Sequence, residues 1–157
     1  MSPQRPAREI TPRTSTVADV AAWLRDDHGP VMVATHRNPD GDAIGSLLAV
    51  ARVLRNAGRD VVMWHPDVPA VPHDLAFLMR EGETIVHALP EDVADRALVV
   101  VDCASAARLS DAPTGSLGRL VVNIDHHHDN GRFGDLNLID GHASSTAEMI
   151  VRLIEAA

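Results

Sequence analysis

Residues that can bind metal ions or move protons occur in three short clusters of this 157-residue sequence. The first cluster contains His36, Asp40 and Asp42, the second is Asp102 alone, and the third is the run Asp125-His126-His127-His128. Imidazole and carboxylate groups without thiolates suit Mn²⁺, Mg²⁺, Fe²⁺ or Zn²⁺. So many carboxylates exceed what a single zinc ion usually takes, so we expect a pair of hard or borderline cations. Two such ions roughly 3.5–4 Å apart can clamp a phosphoryl oxygen, which predicts metal-assisted hydrolysis of a phosphate ester.

Each cluster on its own also has an ordinary structural explanation. Asp42 suits the N-cap of a helix and Asp40 suits a turn, Asp102 could be a cap or loop residue, and the histidines could lie in a solvated loop. However, all three clusters follow apolar runs of strand length, and functional residues of parallel sheets collect beyond the carboxyl ends of the strands. One shared site therefore explains the pattern better than three unrelated loops.

The elements that would position these clusters alternate between strands and helices. Buried strands are predicted at 31–35, 97–101 and 120–124, a further strand at 60–64 and a short edge strand at 84–86. Helices are predicted after an N-cap at Thr14, Ser15 or Thr16, at 43–56, at 74–79 and at 144–155. This order predicts an α/β fold with a mostly parallel sheet flanked by helices, preceded by a flexible tail at 1–15.

Composition narrows the classes of function. The net charge of −8, from 14 arginines against 22 acidic residues, argues against duplex DNA as a partner. The absence of tyrosine argues against an extended surface for base stacking. A single cysteine, Cys103, excludes a disulfide framework and a thiolate metal cage, and is expected to pack beside a strand end. No apolar run approaches the roughly 20 residues of a membrane span, and the N-terminus lacks a secretory signal, so a cytoplasmic location without a membrane partner is expected.

Four motifs together resemble a known family. They are HRNPDGDAIGS at 36–46, VVD at 100–102, IDHH at 124–127 and ASSTAE at 143–148. Their combination resembles the successive motifs of the DHH phosphoesterases, most closely the bifunctional oligoribonucleases and pAp phosphatases, also called nanoRNases. The resemblance runs from about Val31 to the C-terminus, and it implies a DHH domain over residues 16–157.

The resemblance also implies a set of metal ligands, commonly for two Mn²⁺ ions, with Mg²⁺ or Fe²⁺ as alternatives. His36, Asp40 and Asp42 match the ligands of the first motif, Asp102 matches the carboxylate that bridges both ions, and His126 matches the metal-binding histidine of the DHH motif.

Further residues take roles beside those ligands. His127 matches the histidine that faces the substrate phosphate, where it can stabilise charge or assist the leaving oxygen, so it is assigned to catalysis together with Asp102. Asn38 is assigned with His127 to substrate binding, and Asp125 to orienting an imidazole. His128 is left out of the site because the family varies at this position.

Several other residues near the motifs are expected to be structural. The three hydroxyl residues at 144–146 are favoured as caps of the last helix. Four histidines outside the motifs are expected at the surface: His65, His73, His87 and His142.

The implied activity is hydrolysis of short oligoribonucleotides, linear or cyclic dinucleotides or pAp by a hydroxide that two metal ions activate. A manganese pyrophosphatase and a non-catalytic metal- or nucleotide-binding domain remain alternatives, and a homodimer is left open. Members of the family continue into another Asp-bearing motif and a C-terminal substrate domain of the DHHA1 type. This sequence ends at Ala157, before both, so a chain of these residues alone is expected to be weakly active.

Overall fold

Seven strands form one parallel sheet in the computed structural model, which describes residues 6–157. The strands are β1 (Arg13–Thr14), β2 (Val31–Thr35), β3 (Val61–Trp64), β4 (Ile85–Val86), β5 (Ala97–Val101), β6 (Leu120–Asp125) and β7 (Leu136–Ile139). The α-helices are α1 (Val17–Asp26), α2 (Gly41–Asn56), α3 (Ala106–Leu109) and α4 (Thr146–Ala156). Three 3₁₀ segments cover His73–Leu78, Val93–Asp95 and Thr114–Ser116.

The sheet has the order β1-β7-β6-β5-β2-β3-β4. The side of the sheet on which the chain adds successive strands changes beside β2. From β2 the chain adds β3 and β4 on one side, and then returns to place β5, β6 and β7 on the other side. β2 and β5 are therefore the two strands at the switch point, paired from Val31 with Ala97 to Thr35 with Val101. Ligands of open parallel sheets bind beyond the carboxyl ends of the strands at such a point.

Two apolar layers cover the sheet unequally. The long helices α1, α2 and α4 pack on one face, against alternate strand residues such as Val33, Val99 and Ile124. The other face, with Met32 and Leu98, is covered by α3 and by loops and 3₁₀ segments. Because both faces are covered, β2 and β5 are buried at all five positions each, which explains their continuous apolar sequences.

The structure confirms the α/β class and the strands and helices that bear the motifs, with ends shifted by at most two residues. Thr16 is the N-cap of α1, closed by a capping box with Asp19. The helix predicted at 74–79 is a 3₁₀ helix at His73–Leu78, so it begins one residue before the predicted position. The strand β7 and the helix α3 were not predicted.

The tail predicted at 1–15 is only partly within the described residues, since positions 1–5 lie outside them. Of the rest, Arg13 and Thr14 form β1 at the sheet edge, paired with Leu136 and Asn137 of β7. The Arg8 side chain forms an ion pair with Asp135. These contacts join this part of the chain to the sheet edge, and the flexible tail at 1–15 stays a prediction. The bounds of the domain, 16–157, stay a prediction.

An ion pair fastens the long loop after β3 to α2. Arg52 donates to both carboxylate oxygens of Glu83 at 2.8 and 2.7 Å and also to the carbonyl oxygen of Leu78 at 2.8 Å. The hydrogen bond from Arg52 lowers the pKa of Glu83 from 4.5 to about 2, although partial burial opposes the shift. Glu83 therefore loses its proton more readily in the folded protein than in the unfolded chain.

We expect Glu83→Gln to lower the free energy of unfolding by about 1–2 kcal/mol at pH 7. Because the folded-state pKa is lowered, the stabilisation is complete above the ordinary value of 4.5 and is lost as the pH falls toward 2. Thermal melts between pH 7 and pH 3 should show the difference between wild type and variant shrinking. Glu81→Gln, at an exposed position of the same loop, is the control and should match wild type. A difference that does not change with pH would contradict this explanation.

Within residues 6–157, no helix is both long enough and apolar enough to cross a membrane.

Candidate metal centre

The predicted site residues meet at the carboxyl edge of three neighbouring strands. His36 follows β2, Asp102 follows β5, and Asp125 is the last residue of β6, followed by His126. β6, β5 and β2 are adjacent in the sheet. The three sequence clusters therefore form one site at the topological switch point, as their position after the strands predicted.

Asp102 lies at the centre of the site and is almost fully buried, with 1% of its surface exposed. Its Oδ2 lies 3.6 Å from Nε2 of His36, and its Oδ1 lies 3.6 Å from Nε2 of His126. Each carboxylate oxygen thus faces a different imidazole. The backbone of Asp102 has φ 55°, a left-handed conformation that aspartate tolerates better than most residues. Such strained positions are typical of functional sites.

Two groups of ligand atoms share Asp102. In the first group, atoms of His36, Asp40 and Asp102 all lie within 4.8 Å of one another, and in the second the same holds for Asp102, His126 and His127. Asp40 is also the N-cap of α2, where it accepts a hydrogen bond from the Ala43 amide at 2.9 Å. A carboxylate has lone pairs for both tasks, so the cap does not prevent metal binding.

Asp42 belongs to neither group, although its side chain lies beside the second. Its two oxygens accept hydrogen bonds of 2.9 Å from the amides of Thr146 and Ala147. Its Oδ2 also lies 3.6 Å from Nε2 of His126. The start of α4 therefore holds this carboxylate, a favourable place for negative charge. Remaining lone pairs are open to a cation shared with His126, so its predicted role as a ligand stays a prediction.

The environment of His36 favours a cation between its ring and Asp102. The pKa of His36 is raised, chiefly by the interaction of its ring with the Asp102 carboxylate, while burial and the charge of Arg108 oppose the shift. Nδ1 lies 2.6 Å from the carbonyl oxygen of Arg37, which fixes the ring with Nε2 toward Asp102. A metal ion that binds both groups would replace the shared proton.

His127 is held by a chain of hydrogen bonds that starts at Asn130. Asn130 donates to Oδ2 of Asp125 at 2.7 Å, and Oδ1 of Asp125 lies 2.7 Å from Nδ1 of His127. Burial alone would lower the pKa of His127, but the hydrogen bond and charge of Asp125 outweigh it and raise the pKa above its usual value. Within residues 6–157, Nε2 of His127 has no hydrogen-bond partner.

His65 is fully buried, so the prediction of a surface position for it is wrong. Its Nδ1 accepts from the Asp67 amide at 3.1 Å, so Nε2 carries the proton and donates to the carbonyl oxygen of His36 at 3.0 Å. It thereby supports the loop that carries the first ligands. Its position directly after β3, at the same sheet edge, was the available signal. His73, His87 and His142 are exposed, as predicted.

The start of α4 does more than cap a helix. Ser145 is the N-cap, as predicted, and accepts from the Glu148 amide at 3.1 Å. Buried Thr146 instead donates its hydroxyl to Oδ1 of Asp102 at 2.9 Å. Sequence reasoning missed this support of the central carboxylate, because no local pattern links residues so far apart in the chain.

A cleft of about 610 Å³ is lined by Asn38 and Pro39, which lie between the ligands His36 and Asp40 in the sequence. Its walls are Asn38 and Pro39 on one side and the loop from His65 to Pro72 on the other. Asn38 is exposed and has φ 51°, which asparagine adopts more readily than most residues. Its side chain can therefore contact a molecule in this cleft.

The donor chemistry of the site fits divalent cations that prefer oxygen and imidazole ligands. Cys103, the single cysteine, is buried against the second apolar layer, as predicted. Burial raises the pKa of its thiol to about 12, so it is neither a nucleophile nor a ready ligand.

Comparisons with known proteins match the chain to one family and to several curated relatives. The model of the N-terminal domain of the DHH family matches residues 30–157. A relative from Thermus thermophilus, named bifunctional oligoribonuclease and PAP phosphatase NrnA, is 39% identical over 138 residues, covering 87% of this chain and 40% of its own length. The Bacillus subtilis protein of the same name is 32% identical over 124 residues, covering 78% of this chain and 37% of its own.

A Listeria monocytogenes protein named cyclic-di-AMP phosphodiesterase PdeA is 31% identical over 155 residues, covering 91% of this chain and 24% of its own. Among solved structures, an exopolyphosphatase-related protein from Bacteroides fragilis superposes with a TM-score of 0.74 at 22% identity, covering 88% of this chain and 42% of its own; this supports the fold. The chain thus spans less than half the length of these curated relatives.

Proposed function

Because this chain belongs to the DHH family, matched through the N-terminal domain, we propose that it hydrolyses phosphate esters of nucleotides at the site around Asp102. The observation that carries the proposal is the pair of ligand groups that share this one buried carboxylate. A shared carboxylate is what a pair of cations requires when both act on the same phosphate.

The residues divide into ligands and substrate-facing groups. His36, Asp40 and Asp102 would hold one ion, while Asp42, His126 and Asp102 would hold the second, with Mn²⁺ preferred. Bound cations would polarise the phosphoryl oxygens and lower the pKa of a water molecule.

His127 would donate a proton to the leaving oxygen. Asp125 holds its Nδ1 at 2.7 Å, so Nε2 can face the substrate. Because the pKa of His127 is raised, the imidazolium that this role needs is favoured. Asn38 would contact the substrate from the wall of the cleft, with its amide as donor or acceptor.

Short oligoribonucleotides, pAp and linear or cyclic dinucleotides are the proposed substrates. The relatives' names include oligoribonuclease, PAP phosphatase and cyclic-di-AMP phosphodiesterase, which supports this class. The cleft of about 610 Å³ lined by Asn38 and Pro39 has room for part of a nucleotide.

The test is a comparison of products formed from pAp, a 5′-phosphorylated diribonucleotide, cyclic di-AMP and pyrophosphate. Each reaction is run with Mn²⁺, with Zn²⁺ and after removal of metal with a chelator, and Mn²⁺ binding is measured by calorimetry. We expect cleavage of at least one nucleotide, faster with Mn²⁺ than with Zn²⁺, and none after chelation. Cleavage of pyrophosphate alone would indicate a pyrophosphatase, and Mn²⁺ binding without any cleavage would indicate a binding domain.

A further inference from the structure

Arg108 lies beside the first ligand group although sequence analysis gave it no role. It belongs to α3, which follows Asp102 and the end of β5. Its carbonyl oxygen accepts a hydrogen bond of 2.8 Å from the Arg37 amide, next to His36. The backbone of Arg108 is thereby fixed to the loop that carries the first ligands, while its side chain is exposed.

The contact between Arg108 and His36 is close but is not a hydrogen bond. Nη2 of Arg108 lies 3.1 Å from Nδ1 of His36, and that same ring nitrogen lies 2.6 Å from the carbonyl oxygen of Arg37. A carbonyl oxygen only accepts, so Nδ1 carries the proton and donates to it. A guanidinium only donates, so Arg108 gains no acceptor from this ring.

The Arg108 side chain thus differs from most arginine side chains of the protein. Within residues 6–157, its guanidinium has no carboxylate within ion-pair distance and no acceptor other than the unsuitable ring nitrogen. Eight other arginines within residues 6–157 are paired with Asp or Glu, namely Arg8, Arg13, Arg37, Arg52, Arg59, Arg96, Arg119 and Arg152. Next to a site rich in carboxylates, Arg108 therefore has unused donors on a side chain whose backbone is fixed to the loop of the first ligands.

We propose that Arg108 binds an oxygen of the substrate phosphate beside the ligand group of His36, Asp40 and Asp102; this rests on the proposed function. Guanidinium groups match phosphate oxygens in charge and in the spacing of their donors. The fixed backbone brings these donors to the edge of the metal centre, on the side of the His36 ring away from Asp102. Arg108 therefore adds positive charge where a net acidic protein must attract an anion.

The test compares Arg108→Ala and Arg108→Lys with Arg55→Ala. Arg55 is the matched control. It lies in the last turn of α2, roughly 20 Å along the helix axis from the first turn, which adjoins the site. We expect Arg108→Ala to raise KM for the best nucleotide about 10–100-fold, with a smaller loss in kcat. Arg108→Lys should recover part of the loss, because lysine keeps the positive charge but lacks the paired N–H donors of a guanidinium. Arg55→Ala should match wild type.

Inorganic phosphate is the second probe, measured by calorimetry on the Mn²⁺-loaded protein. Its affinity should fall in parallel with the rise in KM, while Mn²⁺ affinity stays within about twofold of wild type. An unchanged KM and unchanged phosphate affinity would overturn the proposal, as would a parallel loss of Mn²⁺, which would make Arg108 a support of His36. Arg108-dependent phosphate binding in a protein that cleaves no nucleotide would uphold this inference and overturn the proposed function.

Discussion

Asp102→Asn is expected to abolish hydrolysis, lowering kcat/KM by at least about 10⁴-fold, because the variant loses the charge that both ligand groups share. The oxygens of Asp102 lie 3.6 Å from the ring nitrogens of His36 and of His126. Among residues 6–157, no other residue belongs to both groups. Loss of this carboxylate should therefore weaken the binding of two ions together, whereas loss of Asp40 should weaken one.

Asparagine is the informative replacement because it preserves what the fold requires at this position. It tolerates the left-handed backbone, φ 55°, and its amide oxygen can still accept the hydroxyl of Thr146. Alanine would add backbone strain to the chemical change. Calorimetry should show the loss of both Mn²⁺ ions, and circular dichroism should show a folded protein.

Asp26→Asn is the control, since it makes the same change at the exposed end of α1. It should keep wild-type activity and metal content. Substantial turnover or full metal content in a folded Asp102→Asn protein would show that Asp102 does not bridge two ions.

The location of the site was predictable because two strong signals coincide. β2 and β5 are buried at every position and apolar at every position except Thr35, which is the sequence pattern of strands covered on both faces. Each is followed at once by a potential ligand, and parallel strands place their carboxyl ends at one edge. The prediction that His36 and Asp102 meet therefore needed no side-chain detail.

Elements that depend on distant partners were not predictable. β1 has two residues, and β7 has four, with an asparagine at a buried position. Asn137 is satisfied by the carbonyl oxygens of Arg13 and Gly134, at 3.2 and 2.7 Å, and the first lies more than a hundred residues away in sequence. Neither the spacing of apolar residues nor the turn residues of the sequence could therefore reveal β7.

The residues that hold the site in place by hydrogen bonds were not predictable either. Thr146, Asn130 and His65 donate hydrogen bonds to Asp102, to Asp125 and to the backbone of His36, respectively. Their residue types also suit caps, loops and surfaces, so sequence alone favoured those interpretations. Asp42 is the opposite case. It was predicted as a ligand, but both of its carboxylate oxygens accept hydrogen bonds from backbone amides at the start of α4.

His127→Ala is the second large effect, with kcat expected to fall about 10²–10⁴-fold while Mn²⁺ content stays near that of wild type. The reason is the hydrogen bond between its Nδ1 and Oδ1 of Asp125, at 2.7 Å. A ring nitrogen that donates to a carboxylate has no lone pair for a metal ion. Asp125 thus directs Nδ1 away from ligation and leaves Nε2 for the substrate.

The structure also permits the opposite role, since atoms of Asp102, His126 and His127 lie close enough to hold one ion together. Metal content separates the two roles. If His127 faces the substrate, His126→Ala should lose Mn²⁺ and activity, whereas His127→Ala should lose activity alone. His128→Ala is the matched control at the exposed neighbouring position and should retain both. Loss of Mn²⁺ from His127→Ala equal to that from His126→Ala would make His127 a ligand, and proton transfer to the leaving oxygen would then require another group.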